Sequence, residues 1–83
     1  MRMYHVIRSW LNSNQTEVAA RFQTRVEAQE YISRKYALYA AHPEHFASAV
    51  IADAEDYLMV KTRTGGPGSG YCISYLDLIE VDT

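Results

Sequence analysis

Cysteine is almost missing from this sequence: Cys72 stands alone among 83 residues. One thiol excludes an internal disulfide and fits a reducing compartment. Glycine is missing everywhere but one place, since all four lie in Gly65-Gly66-Pro67-Gly68-Ser69-Gly70. No stretch of about eighteen apolar residues occurs, which leaves no candidate membrane-spanning helix. The N-terminal MRMYHVIRSW has no apolar signal core, so a cytoplasmic address is expected. A strong charge of one sign is missing too. The net charge is −2, and a domain that binds nucleic acid through electrostatics is usually basic overall. That small net value hides an asymmetry. Residues 1–42 carry six Lys/Arg against three acids, whereas residues 43–83 carry two against seven.

The motifs of common chemistry are missing as well. GGPGSG lacks the Lys and Ser/Thr of a phosphate-binding loop and joins two strand-like runs instead of opening a helix. It reads as a hairpin connector, with a loop that orders on a partner as the alternative. His42 and His45 straddle Pro43 without a recognised ligand spacing, and Cys72 lies far along the chain. Asp53, Glu55 and Asp56 lack the ligand pattern and glycine of a calcium loop. Cys72 has no base beside it in sequence and reads as a small buried thiol. The expectation is therefore no catalytic residue, no metal and no cofactor. The alternatives are a small enzyme or metal domain using His42, His45 or Cys72, and an RNA- or DNA-binding domain using Arg8, Arg21, Arg25, Arg34 and Lys35.

What the sequence does contain is a helix pattern and several strand patterns. In FQTRVEAQEYISRKYALYAA, Thr24 and Glu27 have the spacing of a capping box. Ala28, Tyr31, Ile32, Tyr36, Tyr39 and Ala40 gather into one stripe. Pro43 disfavours helix in the residue before it, so the helix stops by His42. Ile32 is expected in the core, facing Ile7, Val18 or Val60.

Met3–Leu11 reads as a strand. One alternating set holds Tyr4, Val6, Arg8 and Trp10; the other holds Met3, His5, Ile7, Ser9 and Leu11. The second set has no charge in its middle and is the expected buried set. Glu17–Phe22 alternates with Val18, Ala20 and Phe22 on one side, and forms a hairpin with the first strand. Ser48–Asp53 and Tyr57–Thr64 read as strands around an acidic turn at Asp53–Asp56. Tyr71–Tyr75 is a further strand. Leu76–Val81 either continues it past a bend or forms a separate edge strand. The expected fold class is α+β, in the order β-β-α-β-β-β. It is an antiparallel sheet of four to five strands with one helix packed across one face, in a single small domain spanning residues 1–83.

Seven tyrosines and one tryptophan are many for a chain this short. Tyrosine offers a large contact area with a polar tip, which suits protein interfaces. Tyr31 and Tyr36 read as core or core-rim residues, and Tyr39 and Trp10 as more available. Tyr57, Arg63 and Tyr71 flank the glycine loop and mark that end of the sheet as a contact surface. With Arg34 on the helix, the expected partner-binding residues are Trp10, Arg34, Tyr39, Tyr57, Arg63 and Tyr71. A chain of this size buries only roughly 60–65% of its unfolded surface, so a homodimer is a further expectation.

Two layout resemblances follow. The strand at Tyr4–Trp10, the helix opened by RVEAQEYI, and the later SAVIAD and YLMVKT strands resemble small phage-encoded anti-defence proteins of the anti-CRISPR kind. The resemblance covers almost the whole chain and involves no signature residue. It implies a non-enzymatic, stoichiometric inhibitor that blocks a surface of an effector complex in the cytoplasm of a bacterial host. YLMVKTRT, YCISY and LDLIEV resemble the ending of small barrels of the Sm or SH3 type, which implies an RNA- or peptide-binding adaptor. The long central helix departs from that second pattern.

Overall fold

A computed structural model describes residues 1–11, 13–52, 56–63 and 70–82, with backbone alone for residues 47–52. The strands are β1 (Arg2–Trp10), β2 (Thr16–Phe22), β3 (Phe46–Ala52), β4 (Tyr57–Arg63) and β5 (Tyr71–Asp82). One helix, α1 (Arg25–Ala40), stands between β2 and β3. The strands form a single five-stranded sheet in the order β2-β1-β5-β4-β3, and every neighbouring pair is antiparallel. The fold is α+β, with the helix packed on one face of the sheet. The glycine loop 65–69 and most of the acidic turn, residues 53–55, lie outside the described residues.

The helix begins where the sequence says it should. The Thr24 hydroxyl accepts from the Glu27 amide at 3.2 Å and donates to the Glu27 carboxylate at 2.9 Å. Thr24 itself is extended, as a capping residue must be to turn its side chain onto the first helical turn. Ala41 closes the helix, and His42–His45 form the turn that leads into β3. The stripe is narrower than the spacing suggests. Ala28 and Ile32 are fully buried, and Tyr31 and Tyr39 pack at the core rim. Tyr36 and Ala40 are exposed: each step of four residues drifts about 40° round the helix, so from Ile32 Tyr36 falls at the edge of the buried stripe and Ala40 beyond it.

The core joins Ala28 and Ile32 to Val6, Leu58 and Leu76. This overturns the expected face of β1. Val6 is fully buried and Tyr4 packs against the core, whereas Met3, His5, Ile7 and Ser9 point to the other side of the sheet. The expected facing of Ile32 on Ile7 or Val18 fails with it. Arg8, which argued against the Val6 set, lies one row beyond Val6 and pairs with Glu17 at 3.4 Å. In β2 a bulge opposite Val6/Ile7 inserts one extra residue. It turns Val18 outward and brings Ala19 to the core, reversing the expected sides of those two residues.

β5 runs unbroken for 12 residues through the centre of the sheet. It is not an edge strand, because β1 pairs along almost its whole length and β4 takes its other side. The molecule is a slab of 48 × 27 × 17 Å with a radius of gyration of 13.5 Å. A compact chain of this length has about 12 Å. One helix on one face of a broad sheet accounts for the difference.

Candidate functional site: the open face of the sheet

Alternation along β1, β4 and β5 builds two faces, and α1 covers only the one that carries Val6, Leu58 and Leu76. On the opposite face, register aligns Ile7 with Asp77 and Asp77 with Tyr57. The next row holds Ser9, Tyr75 and Met59; beyond it come Ile73 with Lys61, and then Tyr71 with Arg63. At the other end Ile79 sits beside His5. Ile7, Tyr57, Met59, Ile73 and Tyr75 are half-buried by their neighbours within the sheet, and Ile79 is 43% exposed. Among the described residues, no element packs over them. A contiguous apolar and aromatic surface on the middle of a sheet is unusual for a face left to water.

The polar groups on this face feel it. Tyr57 and Tyr75 lie with ring centroids 6.1 Å apart. Desolvation raises the Tyr57 phenol above its ordinary range, with smaller contributions from Tyr75 and Asp77. Desolvation also raises the Asp77 carboxyl. Among the described residues no cation lies within salt-bridge distance of Asp77, and none of the ion pairs includes Lys61. At the end of the face the Arg63 guanidinium lies 5.8 Å from the centre of the Tyr71 ring. Tyr71 is 53% exposed.

The six residues expected at an interface are not all brought together. Tyr57, Arg63 and Tyr71 share the open face on the adjacent strands β4 and β5. Trp10 is half-buried on the helix side of β1. It joins Tyr71 only around a shallow cavity of about 410 Å³ at the end of the sheet, lined also by Ser13, Gln15, Cys72 and Ile73. Leu11 donates its amide to the Ile73 carbonyl at 2.9 Å and helps to fix that end. Arg34 is exposed on the outer side of α1, away from the sheet. Tyr39 is less available than expected. It packs on the core and lies 4.5 Å from the Phe46 ring, between helix and β3. The residues that sequence reasoning missed are Ile7, Met59, Ile73, Tyr75 and Asp77. Ile7 belongs to the alternating set of the first strand that was expected to be buried, and Met59 shares its alternating set with Lys61 and Arg63; nothing local in Tyr71–Asp77 marks the face of Ile73, Tyr75 and Asp77.

Among the described residues, the remaining polar groups build no second site. Glu44 accepts from His42 Nδ1 at 3.2 Å, and its own backbone amide and then His42 lower its carboxyl below the usual range. His42, Glu44 and His45 are all exposed on one turn. Among the described residues, no group of three metal-ligating side chains converges. Arg25 and Gln29 both reach Asp56, at 2.6 Å and 2.9 Å, and tie the start of α1 to the turn before β4. The described helix is neither long nor apolar enough to cross a membrane. No protein-family model matches the chain, and no curated protein or solved structure matches it either.

Proposed function

We propose that the chain is a non-enzymatic protein-binding module that works through the open face of its sheet. The observation that carries this reading is the patch of Ile7, Tyr57, Met59, Ile73 and Tyr75, spread over three successive rows and left without a covering layer among the described residues. Aromatic residues and methionine are the types enriched at protein interfaces, and Arg63 with Tyr71 supplies an arginine and a tyrosine at the rim. Flat, apolar sheet faces suit a protein partner better than a small molecule, which needs a concave site. In its narrower form the module is a stoichiometric inhibitor of a bacterial effector complex, a form supported by the resemblance in layout to anti-defence proteins.

A photo-crosslinking side chain placed at Tyr57 or Tyr71 tests the reading in cells that express the chain. A discrete protein adduct is expected from both positions, and none from Arg34 on the outer side of the helix. If Tyr57 and Tyr71 yield no protein adduct, or if Arg34 yields the same one, the open face is not the binding surface.

A further inference from the structure

We infer that the occupant of the open face is a second copy of this chain, docked sheet on sheet about a two-fold axis that crosses the strands near Tyr75. This rests on the open face being a protein-binding surface, and it puts a second copy there in place of an effector complex. Two features of the face select a second copy.

The first is the placement of charge. Asp77 pairs across the sheet with Tyr57, and Lys61 pairs with Ile73. The two residues are four positions apart along β5, about 13 Å, too far to pair within one copy. A two-fold axis through the Tyr75 row exchanges the rows of residues 73 and 77. Asp77 of each copy then lies over Ile73 and beside Lys61 of the other, across the roughly 10 Å that separates packed sheets, within reach of a lysine side chain. Tyr71 lies over Ile79, and Tyr75 meets its own counterpart. An axis along the strands would instead set Asp77 against Asp77. The face is thus self-complementary in one orientation and self-repelling in the other, as an isologous interface requires. It also gives a counter-charge to a carboxylate that one copy leaves unpaired among the described residues.

The second is area. At about 3.4 Å per residue and about 4.8 Å per strand, the five strands lay out roughly 700 Å² of flat sheet. The relief of Tyr57, Met59 and Tyr75 adds to that figure. A standard interface takes roughly 800 Å² from each partner. The pairing turns two slabs of helix on sheet into one four-layer body with a second apolar core between the sheets.

Sedimentation equilibrium on the purified full chain, up to about 100 μM, tests the inference together with charge reversal. The expected result is a reversible dimer. Asp77→Lys and Lys61→Asp should each raise its dissociation constant at least about tenfold, and the double variant should recover most of the loss. A chain that stays monomeric overturns the inference. So does a dimer insensitive to both reversals, or one that the double variant does not restore. Crosslinking from Tyr57 in the otherwise unaltered chain needs no charge variant to fold. An adduct of twice the chain mass supports the second copy. An adduct of any other mass overturns the second copy but leaves the protein-binding reading standing, whereas no adduct removes both.

Discussion

The two faces of this sheet are made by the same strands and are nearly as apolar as each other, yet only one is a core. The helix side holds Val6, Leu58 and Leu76, each almost without exposure, along with Arg8, Ser74 and Glu80. The open side holds Ile7, Met59, Tyr57 and Tyr75, along with Asp77 and Lys61. Hydrophobicity therefore does not separate core from surface here; the position of the helix does. Ala28 and Ile32 meet Val6, Leu58 and Leu76, and Tyr39 extends the contact to Phe46. Arg8, a charged residue of the helix side, lies across from Leu76 and is met by Glu17. On the open side, Asp77 stands in the middle.

The largest test of this comparison is to remove the same kind of side chain from each layer. Ile32→Ala should cost about 2–4 kcal/mol, because Ile32 is fully enclosed and leaves a cavity. That is a large share of the roughly 5 kcal/mol at the low end of natural domain stability. Ile7→Ala should cost about 1 kcal/mol or less in dilute protein, where its face meets water. Urea unfolding at low micromolar concentration reads both values. Equal costs would mean that the two faces are equally covered.

Much of this was legible in the sequence, and the failures share one cause. The order of elements, the helix limits and the cap at Thr24 follow from local rules: period, capping chemistry and the proline at 43. Which alternating set of Tyr4–Trp10 faces inward does not, because both sets are apolar and a strand has no local preference between its sides. Arg8 was a misleading guide, since its charge is met by Glu17 at the sheet margin. The bulge in β2 is one extra residue that no residue type announces, and it was enough to exchange the sides of Val18 and Ala19. The central place of β5 is a long-range property that its own residues do not state. For the candidate site, Tyr57, Arg63 and Tyr71 were legible as interface types. Ile7, Ile73 and Met59 were not, because an interface and a core draw on the same side chains.

Two smaller tests ask what holds the helix on its chosen face. Thr24→Ala should cost about 1 kcal/mol by leaving the Glu27 amide without its hydroxyl acceptor. Thr24→Asp should restore most of it, and a thermal melt of the three proteins would show a loss that aspartate repairs. An unrepaired loss would place the role of Thr24 elsewhere. Below this comes the tie between helix and β4. The Arg25–Asp56 pair is partly exposed, so a double-mutant cycle with alanine at both positions should give a coupling of about 0.5 kcal/mol, weaker in high salt. Asp56→Ala alone should cost more than Arg25→Ala, because it also removes the acceptor for Gln29.

The smallest effect carries the opposite sign and belongs to the open face. Burial among Ile7, Tyr57 and Tyr75 raises the Asp77 carboxyl above its ordinary range. An acid whose pKa is higher folded than unfolded favours the folded state while it is protonated. Its contribution is complete below the unfolded value of about 3.9 and is lost as pH rises through the raised folded value. Asp77→Asn keeps the shape and removes the charge, so in dilute protein it should be the more stable form at neutral pH. The gain should be roughly a few tenths of a kcal/mol, small because the carboxylate keeps part of its water. The difference should vanish as pH falls below about 3.9, where both side chains are neutral. Raising the protein concentration should reverse the order at neutral pH. If Lys61 of a second copy meets Asp77, the asparagine variant loses that pair and dissociates more readily. Melts of both proteins at two concentrations and several pH values would reveal the crossing. A variant that stays ahead at every concentration would leave Asp77 an isolated acid on a face that no second copy covers.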